Sequence, residues 1–206
     1  LKAAGIECTG KDKIPMVGEL TPEIIAEVLL GKKNEMLDVD TSVVAGRPPT
    51  LCAGCPHRGF FYQLTKHKNI VVSGDIGCYS LGGSEPLNAK DSCICMGASI
   101  SMAHGYQTGF NRFNDDKRAI ATIGDSTFFH TGINSLTHIA YNGGNTITVI
   151  LDNRTTGMTG HQENPGTGFK LSGDPASIIN IESVVPSLGI ENVRSVNPIK
   201  LDEMED

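Results

Sequence analysis

The sequence predicts an α/β fold, a parallel sheet with helices on both faces. Two observations predict it. First, β-branched runs ("NIVVSGD", "RAIATIG", "NTITVILDN") alternate with stretches of helical spacing. Second, "IGDSTFFHTG", residues 123–132, joins one such run to the next helical stretch through a single Gly-Asp-Ser turn. Ligands of such sheets bind at the C-terminal ends of the strands.

The elements follow in order. Residues 1–20 are polar and mixed, without a period. "TPEIIAEVLLG" predicts a short helix with Thr21 as N-cap, Pro22 at the first helical position and Gly31 at the end. Residues 32–50, ending in "AGRPPT", read as a linker. The expected organisation is therefore an N-terminal segment and linker over 1–46 with one short helix, and a main domain over 47–206. Within that domain "GFFYQLTKHK" predicts a helix and "NIVVSGD" a strand. "CICMGASISMAHGYQTG" predicts a helix rich in small residues, and "RAIATIG" a strand. "TFFHTGINSLTHIAYN" places Phe129, Ile133, Leu136 and Ala140 on one apolar helical face, and Gly-Gly ends it. "NTITVILDN" is a strand, "RTTGMTGHQENPGTG" a loop, and the tail predicts a short strand, a helix and a last strand.

Bulk properties narrow the function. The 206 residues leave room for one sizeable core. A net charge of −6 argues against nucleic acid or an anionic membrane as partner, since both need a basic face. No apolar run is long enough to span a bilayer and no signal peptide opens the sequence, so the expected location is cytoplasmic. The sequence starts at Leu1 rather than Met, which suggests a piece of a longer protein. The six cysteines (Cys8, Cys52, Cys55, Cys78, Cys93 and Cys95) read as free thiols rather than disulfides in that setting. No G-x-G-x-x-G or Walker-type loop is present, which argues against a nucleotide-binding regulatory domain.

The Gly-Asp-Ser turn carries the chemistry. Gly124, Asp125 and Ser126 fall at the C-terminal end of one predicted strand, and Asn153 at the end of the following one. If these strands are neighbours, a carboxylate and an amide oxygen share one crevice. Both are hard oxygen ligands suited to Mg2+. The helix beginning near Thr127 aims free N–H groups and a partial positive charge at the same spot, an anion cradle. The plain alternative is that Asp125 or Ser126 caps the helix and Asn153 makes a turn. The spacing tells against it: the 26 residues 127–152 between Ser126 and Asn153 hold one helix and one strand.

That pattern resembles the thiamine diphosphate signature, Gly-Asp-Gly followed by Asn, with Ser126 in place of the usual second glycine. The blocks "RPPTLCAGCPHRGFFYQL", "SGDIGCYSLG", "CICMGAS", "GDSTFFHTGI" and "LDNRTTGMTGHQENPGTG" closely resemble the thiamine-binding part of the alpha subunit of indolepyruvate ferredoxin oxidoreductases, over about residues 20–200. The resemblance implies a thiamine diphosphate-binding fold. It implies that Asp125, Asn153 and the Thr155 carbonyl hold Mg2+. It places the diphosphate against Gly124, Asp125, Ser126 and Thr127 and near Thr155 and Thr156, with Gly157 and Met158 in the same loop. Gly77 and Cys78 would line the floor, and Met96 or Gly97 would lie near the thiazolium.

The implied reaction is oxidative decarboxylation of a 2-oxo acid, of the indolepyruvate or aryl pyruvate class. Coenzyme A takes the acyl group and electrons pass through iron–sulfur clusters to ferredoxin. A glutamate touching the cofactor's pyrimidine ring would come from a pyrimidine-binding domain, and a beta subunit would complete the enzyme. Neither that domain nor a ferredoxin-like cluster region is recognisable here, so this chain is expected to be inactive alone. Two other readings stay open: another thiamine-dependent decarboxylase, of the sulfopyruvate or phosphonopyruvate type, and a non-catalytic metal- or cluster-binding module. The "CAGCPHRG" block argues against the former.

In that block, His57 can shuttle protons near neutrality and is the candidate catalytic residue, with a structural role as the alternative. Arg58 suits either a substrate carboxylate or a surface ion pair. Cys52 and Cys55 form a C-x-x-C pair, and Cys78 is a possible third ligand of a cluster or zinc. Related enzymes use a fourth cysteine beyond the loop, and this sequence has none after Cys95. Cys93 and Cys95 read as buried small hydrophobes. His130 is expected in a core hydrogen bond or facing the crevice, and His161 in solvent or over the cofactor.

Overall fold

The computed structural model describes residues 1–33 and 39–204, so the expected linker over 32–50 lies partly outside the described residues. The chain divides into two compact units, Leu1–Arg47 and Pro48–Asp206. Among the described residues, no helix is long and apolar enough to cross a membrane.

The first unit carries helix α1, Pro22–Leu30. Thr21 Oγ1 accepts the Ile24 N–H at 3.4 Å, an N-cap bond. Pro22 stands in the first turn, where its missing N–H leaves no bond unmade. Gly31, at φ 64, closes the helix. No residue of α1 is buried.

The second unit contains α2 (Pro56–Leu64), β1 (Ile70–Gly74), β2 (Ser92–Cys93), α3 (Ala98–Phe113) and β3 (Arg118–Gly124). A helical run follows β3 at once, made of α4 (Asp125–Thr127), a π-turn (Phe128–Gly132) and α5 (Ile133–Tyr141). Then come β4 (Ile147–Leu151) and α6 (Ile181–Ser187). The strands form one four-stranded sheet in the order β2-β1-β3-β4, and every pairing is parallel.

Strand β3 shows why both faces are covered. Ala119, Ala121 and Ile123 enter a core with Ile100 and Ala103 of α3, Phe128, Leu136 and Ile139 of the helical run, and Val185 of α6. Ile120 points the other way, into a core with Phe60, Phe61 and Leu64 of α2 and with Tyr79. A strand buried on both faces needs a nearly continuous apolar run, which "RAIATIG" supplies apart from the exposed Arg118 and the buried Thr122.

Three expectations are corrected. The helix expected from Cys93 begins at Ala98, because Cys93 pairs with Gly74 in β2 and Gly97 turns the chain at φ 86. Cys93 and Cys95 are consequently exposed rather than buried. The buried line of the helical run passes through Phe128, Gly132, Leu136 and Ile139, while Phe129 and Ile133 are only partly buried. The wider π-turn rotates that face relative to a regular 3.6-residue period. The strands expected in the tail do not form among the described residues. Residues 176–180 make only scattered bonds (Ala176 N–H to the Gly168 carbonyl, Ile179 N–H to the Pro165 carbonyl). Residues 191–196 are exposed, with no strand beside them.

Candidate functional site

Two neighbouring strands end in the same dipeptide. β1 runs into Gly74–Asp75 and β3 into Gly124–Asp125, and both carboxylates are buried. Their surroundings differ. Asp75 accepts the N–H of Ile76 at 2.8 Å, that of Gly97 at 2.9 Å on both oxygens, and that of Ser99 at 3.2 Å. It is occupied in capping the start of α3, where backbone amides offset its charge.

Asp125, 3% exposed, has one side-chain donor among the described residues, Asn164 Nδ2 at 2.9 Å from Oδ2. No described cation pairs with it. Burial pushes its carboxyl up from the ordinary value. The Asn164 and Ser126 hydrogen bonds oppose that, and the negative charge of Asp152 adds to it. A buried carboxylate with lone pairs to spare and no counter-charge has the chemistry to accept a cation.

The second candidate oxygen comes from the loop just after β4. Gly124 of β3 lies opposite Leu151 of β4, so Asp125 and Asn153 leave the same end of two adjacent strands. Asn153 Oδ1 accepts the Thr155 N–H at 3.2 Å, and Arg154 between them is left-handed at φ 51. This Asx turn folds the loop back at Thr155. Thr155, Thr156 and Gly157 are half-buried and Met158 is exposed. A Cβ on Gly157 would stand 3.4 Å from Cys78 Sγ, so the loop after β4 meets the turn after β1.

Tyr79 joins the turns after β1 and β3. A Cβ on Gly77 would lie 2.4 Å from its ring, and one on Gly124 2.6 Å. Glycine is required at both places by this close approach. Burial drives the Tyr79 phenol far above its ordinary range, so the group is neutral. The Gly124 backbone and the Thr127 side chain pull weakly the other way. Thr127 is buried and Ser126 half-buried. Gly97 is pressed under the helical run, since a Cβ there would meet Thr131 Oγ1 at 2.4 Å. Its neighbour Met96 is exposed.

The sequence-expected residues Gly77, Cys78, Gly124, Asp125, Ser126, Thr127, Asn153, Thr155, Thr156, Gly157 and Met158 thus belong to turns at one end of the sheet. His57 stands behind them. It is buried on α2, edge-on to the Tyr79 ring at 6.3 Å between centroids. Burial, and then the Lys90 charge, lower its pKa, so the ring is neutral at pH 7. Arg58 makes no ion pair among the described residues. Its Nε donates to the Cys52 carbonyl at 2.9 Å and its Nη2 to the Leu51 carbonyl, clamping the "CAGC" turn. His130 is exposed, with Nδ1 2.9 Å from Thr131 Oγ1, and His161 is an exposed loop residue at φ 61.

Burial raises the Cys78 thiol, and the charges of Cys52 and Cys55 raise it further, so the three share one neighbourhood. Among the described residues, however, no three His, Cys, Asp or Glu side chains converge on one metal position, and the cysteines are free.

The sequence reading missed Asp75, Tyr79, Lys90 and Asn164. The repeated Gly-Asp at two strand ends was the available signal for Asp75. Nothing local marks Lys90 or Asn164, because their burial is created by distant segments.

Residues 68–206 match the family described as "Thiamine pyrophosphate enzyme, C-terminal TPP binding domain". The chain belongs to this family. This thiamine-binding domain is also 45% identical over 164 residues to the indolepyruvate oxidoreductase subunit IorA of Archaeoglobus fulgidus, covering 78% of this chain. It is 40% identical over 224 residues to that of Pyrococcus abyssi, covering 98%. The chain spans only 26% and 34% of those relatives. Among solved structures, it is similar to the 2-oxoglutarate:ferredoxin oxidoreductase from Magnetococcus marinus, at TM-score 0.58 and 21% identity over 70% of this chain and 53% of that one. It is similar to benzoylformate decarboxylase from Polynucleobacter necessarius at TM-score 0.52 and 14% identity, over 84% and 32%. These two likenesses concern the fold. The architecture is that of a thiamine diphosphate-binding α/β domain, and the sequence relatives agree with the resemblance read from the motifs.

Proposed function

We propose that this domain holds thiamine diphosphate through Mg2+ in a 2-oxo acid oxidoreductase that takes indolepyruvate or a related aryl pyruvate. The observation that carries the proposal is the contrast between the two Gly-Asp turns. Asp75 is tied to the backbone amides that open α3, whereas the buried Asp125 has one side-chain donor and no described counter-charge. The donor set fits the group. Asp125, Asn153 and the Thr155 carbonyl are hard oxygen ligands, and Mg2+ leaves its remaining positions to water and phosphate. The turns at Gly77–Cys78, Gly124–Thr127 and Thr155–Met158 would receive the diphosphate, with Met96 or Gly97 near the thiazolium.

Thiamine diphosphate supplies a carbon nucleophile for the 2-oxo carbonyl and an electron sink for the loss of CO2. The residues of this chain bind and orient. Tyr79 fills the floor and keeps water out behind Gly77 and Gly124. Neutral His57 supports Tyr79 from α2 and is the candidate to hold or move a proton there. The relatives are named indolepyruvate oxidoreductase subunits, and the Magnetococcus marinus structure has 2-oxoglutarate, coenzyme A and succinyl-CoA bound. On this reading the reaction passes an acyl group to coenzyme A and electrons through iron–sulfur clusters to ferredoxin. The clusters, a pyrimidine-binding domain and a beta subunit belong to the rest of such an assembly, which acts in the cytoplasm. The main domain, 47–206, is the cofactor-binding part, and the segment 1–46 leads into it.

Calorimetric titration of the intact protein carrying this chain with thiamine diphosphate, with and without Mg2+, tests the proposal. Mg2+-dependent binding that Asp125→Ala abolishes is expected. Binding indifferent to Mg2+ and to Asp125, or none at all, overturns it.

A further inference from the structure

The loop after β4 supplies a residue to the turn after β3. Asn164 lies 39 positions from Asp125, is 8% exposed, and donates Nδ2 to Asp125 Oδ2 at 2.9 Å. Its orientation is fixed from the other side. Asn164 Oδ1 accepts the Gly166 N–H at 2.8 Å, and its backbone carbonyl accepts the Thr167 N–H at 3.0 Å and the Thr167 hydroxyl at 2.9 Å. An amide oxygen committed to an N–H acceptor role leaves the NH2 end for the carboxylate. Gly166 permits the arrangement, because a Cβ there would stand 3.2 Å from Asn164 Oδ1 and 3.3 Å from the Phe129 ring.

We infer that Asn164 is a positioning residue for the cation seat at Asp125: it holds one carboxylate oxygen, leaves lone pairs that the nearby backbone amides do not take to a small divalent ion, and ties the loop bearing Thr155 and Thr156 to the start of the helical run. The inference rests on the cation reading of Asp125 proposed above. A ligating carboxylate is oriented by its own hydrogen-bond partners, and loss of such a partner typically weakens metal binding about 10–100-fold. The loss falls unequally on different ions. Mg2+ demands near-octahedral oxygens at about 2.0–2.1 Å, whereas Ca2+ accepts looser shells. Asn164 therefore favours Mg2+ over Ca2+.

The test uses the intact protein with thiamine diphosphate at saturation, and titrates Mg2+ and Ca2+ separately by calorimetry. Asn164→Ser keeps an oxygen for the Gly166 N–H and loses the reach to Asp125. Asn164→Ala, which removes both bonds, is the second variant, and thermal melting without ligand reports the fold of each. The expected result for Asn164→Ser is a Mg2+ half-saturation raised about 10-fold or more, with Ca2+ changed less than about 3-fold. Parallel weakening of both ions, tracking a lowered melting temperature, assigns Asn164 to the fold alone and overturns the inference. So does an unchanged Mg2+ titration. Failure of the wild type to bind either ion with thiamine diphosphate overturns the cation reading itself and the inference with it, an outcome distinct from a variant that matches a binding wild type.

Discussion

The Lys90 ammonium lies 4.8 Å from the centre of the Tyr79 ring and 5.3 Å from that of Phe61, and its Nζ is buried without a hydrogen-bond acceptor among the described residues. Two aromatic faces are its main compensation for lost water. Burial lowers its pKa to about 8, against the opposite pull of Cys93 and Asp75. The folded value lies below the unfolded one of about 10.4, so between them the unfolded chain holds more protons and stability rises with pH. Lys90→Met removes this slope. Chemical unfolding is expected to show the variant more stable by about 1–3 kcal/mol near neutral pH, with the advantage lost by about pH 10. A difference independent of pH would refute the assignment.

Asp125 predicts a conflict between stability and binding. Its carboxyl is raised by burial. For an acid, a raised folded pKa means that the ionised form is penalised at neutral pH and that the penalty is relieved as pH falls through the raised value. Asp125→Asn keeps an acceptor for Asn164 and sheds the charge. Without cofactor, the variant is expected to gain about 0.5–2 kcal/mol at neutral pH, shrinking toward about pH 4. It should also lose Mg2+-dependent binding of thiamine diphosphate. Melting curves across pH, paired with calorimetry, check both halves.

Asp75 is expected to respond in the opposite sense. Asp75→Ala leaves the Gly97 and Ser99 amides at the start of α3 without their acceptor. Hydrogen bonds to a charged group contribute roughly 1.5–3 kcal/mol each, so about 3 kcal/mol or more of stability should go. Equal melting temperatures for Asp75→Ala and wild type would show that the cap is dispensable.

Gly97 and Gly54 separate conformation from space. Both are left-handed, at φ 86 and 72, but only Gly97 has a neighbour, Thr131, in the way of a Cβ. Gly54→Ala is expected to cost about 1–2 kcal/mol from backbone strain alone. Gly97→Ala adds roughly 1–3 kcal/mol of overpacking. Unfolding of the two variants side by side measures the difference. If they cost the same, Thr131 yields freely.

Much of this architecture was legible in local pattern. The runs "IVVSG", "RAIATIG" and "ITVIL" form strands because they are short and dense in β-branched residues. Thr21, Pro22 and Gly31 delimit α1 through capping chemistry that needs only near neighbours. The Gly-Asp-Ser turn stood out because it joins a strand to a helix directly. The failures share one cause. Cys93 looked helical because its small-residue segment lacks a period, and its pairing with Gly74 is a long-range event. The tail strands were expected from composition, but a strand needs an edge to pair with.

The sequence by itself determined that Asp125 and Asn153 fall at the C-terminal ends of two consecutive strands, since that follows from alternation and spacing; that the two strands are neighbours was decided by the sheet. Only the tertiary structure decided what each group does. Asp75 and Asp125 stand in the same local setting, after a strand and a glycine. One is consumed by the amides of α3, and the other is held by Asn164 and left with open lone pairs. Likewise Tyr79, Lys90 and His57 become one cluster only when α2 packs against the segment between β1 and β2. Burial and partner choice are set by segments far apart in the chain, and it is these that fix charge state and hence chemistry.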